Sequence, residues 1–412
     1  MLVVLRSRNF FLLWLGQLVS LAGDWVLFVA LPFFIFQLTG SILQTGLMFI
    51  VQAIPRIVLG SVAGVFVDRW NRRWTMIASD LSRAALLLLL LLVHSISLLW
   101  LIYVVSFVQT TIAQFFEPAS NAFIPSLVEE ERLVEANSLA SFNDAVTRLI
   151  GPPLGGALFA LVGLASVVWI DSATFVFSAL MVLLIRLPRK IAQQDTEKEA
   201  KRVDRHLWRE WLEGVRLIGR SRIVGGVFLA VGITMIEQGM LNVLLVPFVK
   251  NVMHGSSVVF GTLITAQGIG SLIGTVLIGR VAKLVKPAYL ISGALFIFSI
   301  VTFIIFNVPV VPVALLLIAF AGLFVVGLFV SMQTLLQSYV ADSHRGRVFG
   351  AFTTMTSLMM LLGMGISTLF GTPANIIFVL DTSCVLPVVA AIMGLVMLDK
   401  ARLVKDEKVM RV

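Results

Sequence analysis

The sequence predicts an all-α integral membrane protein of twelve transmembrane helices, arranged as two pseudo-symmetric six-helix bundles. Three observations predict it. Of 412 residues, 59% are hydrophobic and only 13% charged, whereas about a quarter are charged in soluble domains. The apolar residues fall in continuous runs near the roughly 20 residues that a helix needs to cross hydrocarbon, without the alternation of barrel strands. Third, landmarks of the first half recur in the second. Pro32, Gly46 and Gly64 reappear as Pro247, Gly261 and Gly279 at an offset of 215 residues. Ile170-Asp171-Ser172-Ala173 is echoed by Leu380-Asp381-Thr382-Ser383 at an offset of 210.

Each run must be helical, because lipid offers the backbone no hydrogen-bond partner. Span 1 covers residues 10–38. Arg6 and Arg8 precede it as they would a signal peptide, but it is too long for a signal core and lacks a small-x-small cleavage site, so it is read as a retained span. Asp24 lies halfway along it. Span 2, 43–67, carries Arg56 beside Gln52 and Pro55, and a charged turn leads from it straight into span 3, 74–94. Asp80 and Arg83 sit one turn apart at the inner end of span 3. Span 4, 98–119, ends on Glu117-Pro118-Ala119; span 5, 137–162, holds Asp144, Arg148 and Gly151-Pro152-Pro153-Leu154-Gly155-Gly156. Span 6, 166–186, closes an N-terminal bundle, 1–186.

A polar linker follows at 187–222, where Leu207, Trp208, Trp211, Leu212, Val215 and Ile218 share one face of an expected interfacial helix. Its plainest role is a tether. Spans 7 to 12 are expected at 223–249, 257–281, 287–306, 311–337, 348–370 and 376–398, forming a C-terminal bundle, 223–398, with a tail at 399–412. Glu237 and Gln238 lie halfway along span 7.

The formal charge of +9 is explained by placement, not by nucleic acid. With the N-terminus inside, nearly every cation falls in a cytoplasmic segment, and the external loops carry Lys250. That is the positive-inside pattern, which predicts a multi-pass protein of the cell membrane with both termini cytoplasmic. The one cysteine, Cys384, lies in an apolar run, which excludes a disulfide framework and suggests no metal site. His94, His206, His254 and His344 are scattered over span ends and loops. No phosphate loop or nucleophile arrangement accompanies them, so neither an enzyme nor a cofactor is expected.

Charges inside spans are costly and point to function. A carboxyl in hydrocarbon is suited to loading and releasing protons, which makes Asp24 and Glu237 proton-coupling candidates, each weighed against a structural hydrogen bond. Arg56 either answers Asp24 or meets an anionic group of a substrate. Of the interior cations Arg56 and Arg148, the latter is read as forming an ion pair with Asp144, four residues away on one helix face, and Arg56 has no local partner. Asp171 and Asp381 are read as a repeated helix-end hydrogen bond. Gln17, Gln109, Asn143, Gln238, Asn242, Gln267 and Gln333, among many Phe and Met side chains, are expected to line a chamber near the midplane between the halves. Its soft apolar walls suit bulky amphipathic compounds.

The most specific segment, Gly64 to Arg73, reads G-V-F-V-D-R-W-N-R-R. Gly64 is expected to allow close helix approach, and Asn71 to tolerate a left-handed turn. Arginines alone would anchor topology, but the acid Asp68 adds a gating reading. Glu117 is near enough to pair with Arg69, Arg72 or Arg73, and Asp80 and Arg83 could join that cluster. In span 5 the small residues permit close packing and the prolines bend the helix.

These motifs, together with Leu13-Trp14-Leu15-Gly16-Gln17, Gly23-Asp24-Trp25 and Arg345-Gly346-Arg347, resemble those of major facilitator transporters, in particular drug:proton antiporters of the macrolide-efflux and enterobactin-exporter type. The loop is similar to that family's G-x-x-x-D-R-x-G-R-R, with Asn71 in place of Gly. Gly151, Pro152, Gly155 and Gly156 match the antiporter core G-P-x-x-G-G, with Thr147 where an upstream glycine usually stands. The resemblance implies that Asp68 and its arginines latch the halves near Arg345 to Phe349. It also implies proton-driven export of a hydrophobic or amphipathic small molecule by alternating access, in a monomer without cofactors. A facilitator or importer of another solute, and a non-transporting scaffold, are the alternatives. The arginine that many drug exporters carry in span 4 is absent, and Lys283 stands at the place of Asp68 in the second copy of the loop.

Overall fold

The computed structural model describes residues 3–60, 63–186, 221–281, 285–340 and 342–398. The expected interfacial helix of the linker, the tail from residue 399 and Lys283 lie outside the described residues, as does the side chain of Arg280. The helices are α1 (Arg8–Thr39), α2 (Ile42–Leu59), the short α3 (Ala63–Val67), α4 (Arg72–Leu88), α5 (Leu99–Phe123), α6 (Leu133–Val162) and α7 (Leu164–Leu183). They continue as α8 (Arg222–Asn251), α9 (Ser257–Val281), α10 (Pro287–Asn307), α11 (Val311–Tyr339), α12 (Asp342–Phe370) and α13 (Ile376–Leu398). Twelve of the helical segments are long and apolar enough to span a membrane, so the all-α, twelve-span class is the observed one.

Local chemistry sets the ends. Gly40 takes φ 62° after α1 and its N–H bonds to Phe36 O at 2.8 Å, a left-handed cap that a residue with a Cβ adopts at a cost. Asn71 caps α4, its side chain accepting from Trp74 N at 3.1 Å. Pro287 opens α10, where a missing N–H is harmless. Two spans differ from expectation. Span 2 stops at Leu59, before the turn at Gly60, and resumes as α3. Span 11 begins at Asp342, because its polar start around Arg345 and Arg347 is itself helical.

Two compact units emerge. Unit 1 comprises Met1–Gly40, Ile50–Val203 and Ser256–Gly261; unit 2 comprises Ser41–Phe49, Asp204–Gly255 and Thr262–Val412. The division therefore differs from a cut in the linker by two short segments, at repeat-equivalent places. Within unit 1, α1 packs on α6 and α7, and α4 on α5 and α7. Within unit 2, α8 packs on α12 and α13, and α10 on α11 and α13. Under the repeat these are the same four pairings. Even the polar links match: Ser172 Oγ donates to Ala84 O across α7 and α4 at 2.9 Å, and Ser299 Oγ to Cys384 O across α10 and α13 at 2.6 Å.

Small residues make the closest approaches. A Cβ on Gly155 would lie 2.6 Å from Val26 Cα, and one on Gly322 would lie 3.0 Å from Ser271 N. Where lipid offers no hydrophobic drive between helices, such van der Waals contact is what joins them.

Candidate functional site

The charged centre of unit 1 is built from five helices. On α4, Arg83 and Asp80 form an ion pair at 2.5 Å with both side chains buried. They sit on the same face as Met76, Ile77, Ala84 and Leu87, the buried stripe of that helix. The Arg83 guanidinium lies 4.2 Å from the ring centre of Phe175 on α7 and 4.8 Å from that of Phe116 on α5. Rings so placed stabilise a desolvated cation. From α1, Asp24 feels Arg83 most strongly and then Arg56. Glu117 on α5 acts on Arg56. Asp171 on α7 is fully buried and faces Asp24 and Arg83.

Glycines hold the Asp24 segment in place from both sides. Gly23 packs against Asp171 and Thr174 of α7, and Gly16 against Ser178 and Met181. On the other side, Gly151 and Gly155 of α6 abut Trp25 and Val26. Gly156 meets Ser257, whose hydroxyl donates to Gly156 O at 2.7 Å, and Pro152 O receives Gly261. The glycine-proline run thus seats α6 against α1 next to its one acid.

The loop at Gly64 to Arg73 works differently from expectation. A Cβ on Gly64 would meet nothing within 4 Å among the described residues, so no close approach explains that glycine. Asn71 is extended (φ −70°), not left-handed; its side chain is used as the helix cap. Arg72 Nη1 donates to Ala122 O at 3.2 Å and Arg73 Nη2 to Leu183 O at 2.5 Å. These are the last turns of α5 and α7, where unsatisfied carbonyls and the negative helix end attract cations. Arg69 and Asp68 are exposed. Among the described residues no ion pair joins Glu117 to Arg69, Arg72 or Arg73; Glu117 acts electrostatically on Arg56. Asp80 and Arg83 are not part of a loop cluster either, since they face into the bundle.

In unit 2, three of the expected polar residues come together. Gln238 and Asn242 of α8, Gln267 of α9 and Thr302 of α10 line a pocket whose remaining wall is Phe248, Phe298, Phe306 and aliphatic side chains. Gln238 Nε2 donates to Asn242 Oδ1 at 3.3 Å. Among the described residues, no charged side chain lines this pocket. Glu237 is one residue away but turned off that face, 1% exposed, with Oε1 lacking a hydrogen-bond partner. Among the described residues, no cation offsets its burial. Gly239 against Met360 O, and Gly363 against Ile236 O, press α8 and α12 together on either side of it.

Other expected chamber residues are used inside unit 1. Asn143 is 1% exposed, and its amide donates to Trp14 O at 3.0 Å while Trp14 Nε1 donates to Leu139 O at 3.1 Å. It is a structural tie between α6 and α1, not a lining residue. Gln17 bonds Ser120, and Gln109 donates to Arg83 O at 3.0 Å. Gln333 is exposed and lies outside the unit 2 pocket. Asp144 and Arg148 are both exposed, and no ion pair joins them. Asp381 does receive the Asn307 amide at 2.9 Å. Its repeat partner Asp171, however, stands well inside α7, so no shared helix-end role exists.

Sequence reasoning therefore missed Arg83 as an interior cation and Asp171 as its neighbour. The signal was present: Asp80 and Arg83 continue the spacing of Met76, Ala84 and Leu87, so they share the face that must be buried.

Twelve apolar helices in two units with equivalent pairings, carrying buried charge in one and a pocket in the other, define a multi-pass membrane transporter of the major facilitator class. The family model described as transmembrane secretion effector matches residues 1–408, and the chain belongs to that family of transporters; it is not an enzyme. It is 26% identical to macrolide efflux protein A of Streptococcus pyogenes over 369 residues, 88% of this chain and 89% of that one. It is also 26% identical to the multidrug efflux pump Tap of Mycobacterium bovis over 362 residues, 86% and 85% of the two chains. Among solved structures, a bacterial homologue of the iron transporter ferroportin in an inward-facing state aligns with TM-score 0.74 at 17% identity, covering 95% of this chain and 98% of that one. That likeness is one of fold.

Proposed function

We propose that this transporter exports hydrophobic or amphipathic small molecules in exchange for protons, by alternating access, as a monomer in the cell membrane with both termini cytoplasmic. The observation that carries the reading is the charged centre of unit 1. Asp24 stands in an otherwise apolar span, in the field of two arginines, on a helix segment that glycine contacts fix on both sides. An acid with that surrounding can exchange a proton while its position stays fixed. Glu237 is the second candidate acid and Arg56 the outer counter-ion. The relatives named for macrolide and multidrug efflux support export of bulky lipophilic compounds. The pocket of unit 2 fits such a cargo, since amides can orient polar groups against aromatic and aliphatic walls. Asp68 with its arginines is proposed as the gating loop.

The test is flux in proteoliposomes containing the purified protein, with erythromycin and ethidium as probes. An imposed pH gradient should drive accumulation, an uncoupler should abolish it, and Asp24→Asn should remove gradient dependence at normal protein yield. Gradient-independent flux in the wild type would refute proton coupling; transport of neither probe would refute the cargo class.

A further inference from the structure

We propose that Asp171 and Asp24 form one proton-carrying carboxyl pair, and that Arg83, tethered by Asp80, is the cation this pair shares. The inference deepens the coupled-export reading above and rests on it for its role in transport.

Asp171 has no structural task that accounts for it. It is fully buried in the interior of α7, beyond the first turn, where free N–H groups would welcome an acid. Its Oδ1 accepts a local bond from Thr174 at 3.2 Å, while the same hydroxyl bonds the Asp171 carbonyl at 2.7 Å. Its Oδ2 has no hydrogen-bond partner. Leaving a buried carboxylate oxygen unsatisfied is expensive. The carboxyl instead lies flush against Gly23, so tightly that a Cβ there would strike Asp171 Oδ1 and Thr174 Oγ1. The next residue is Asp24.

The charged groups around the pair can be named helix by helix. From α4 come Arg83 and, joined to it, Asp80; from α2 comes Arg56, which reaches Asp24; Glu117 on α5 acts on Arg56 in turn. Asp80 already engages one side of Arg83, and the guanidinium Nε is without a partner. Asp24 and Asp171 therefore divide what remains of a single inner cation. Two carboxylates that feel one another and one shared cation balance their surroundings when the pair carries one proton, and such a pair titrates as a unit. On loading, the proton bonds to a carboxylate oxygen of the pair. On release that O–H bond breaks, one proton leaves, and Arg83 is the charge that faces the vacated oxygens. The repeat supports the assignment by contrast. Position 381 carries the equivalent acid, but it meets Asn307 at the end of α10, and no arginine stands in unit 2 where Arg83 stands in unit 1.

The experiment is infrared difference spectroscopy of the full-length protein in lipid nanodiscs, following the carboxylic-acid carbonyl band as pH is stepped, with no ligand added. Asp24→Asn and Asp171→Asn should each shift the midpoint of the remaining band by about one pH unit or more, and Asp171→Glu should restore a paired band. Should Asp171→Asn fail to fold, Gly23→Ala replaces it. Its methyl pushes α1 away from Asp171 with both acids intact, and should move the midpoint likewise. An unchanged band and midpoint in Asp171→Asn, or in Gly23→Ala, would overturn the pair. Loss of gradient-driven flux in the wild type with the coupled band intact would instead refute the export reading alone.

Discussion

Arg83 holds together the buried charges of α4 in unit 1. Truncating it leaves Asp80 buried and unpaired, and removing one partner of a buried pair costs about 3–5 kcal/mol. Arg83→Ala should therefore lower the melting temperature of the detergent-solubilised protein markedly, and Asp80→Asn in the same chain should recover much of the loss. If the double variant melts no higher than the single, the pair is not what stabilises this site. Asn71 offers a smaller effect: loss of its bond to Trp74 N should cost about 0.5–2 kcal/mol, read as faster amide exchange at the start of α4. At this scale the sequence was legible in part. Asp24, Glu237 and Arg56 stand out because a charge in an apolar run has no ordinary excuse. Asp80 and Arg83 hid near a polar turn, and Asp171 hid behind its repeat partner, because helix ends normally explain acids. Which oxygen lacks a partner is a fact of packing between helices that no linear pattern encodes.

For the elements, the glycine contacts separate structural from permissive positions. Gly155→Ala would drive a methyl into the backbone of Val26, which cannot yield as a side chain would. Overpacking of this kind costs about 1–3 kcal/mol, and here it would also displace the Asp24 segment. A drop in both melting temperature and transport is expected. Gly64→Ala meets open space and should remain within about 0.5 kcal/mol of wild type, as exposed substitutions usually do. Equal damage from the two would show that the motif, not the contact, matters. The spans themselves were readable within a few residues, since twenty-residue apolar runs in lipid allow only one conformation. The early stop of α2 and the early start of α12 were not, because polar residues at a membrane surface continue a helix as readily as they end it.

At the scale of the whole chain, cations gather at helix ends. Besides Arg72 and Arg73, Arg222 donates to Val396 O at 3.1 Å and Arg345 to Gln337 O at 2.8 Å. Each ties the start of one span to the last turn of a neighbour. These arginines thus tie neighbouring helices together at their ends. Combined Arg72→Ala and Arg73→Ala should loosen the ends of α5 and α7 and produce a fraction of chains with altered topology, detected by accessibility of a cysteine placed in the tail. Uniform wild-type topology with lower stability would assign them to structure only. The twofold plan was fully legible from offsets of glycine, proline and aspartate. What each copy does was not, because that depends on which side chains meet.

The two copies have drifted apart in a useful way. The pocket of unit 2 is closed by uncharged residues, while unit 1 holds the compensated charges. Under the export reading, substitutions at Gln238, Gln267 or Phe298 should change which compounds are accepted while leaving Asp24, Asp80, Arg83 and Asp171 untouched. On that reading, a population under changing chemical challenge would find new specificities by altering one copy alone, with the charged centre of the other left as it was.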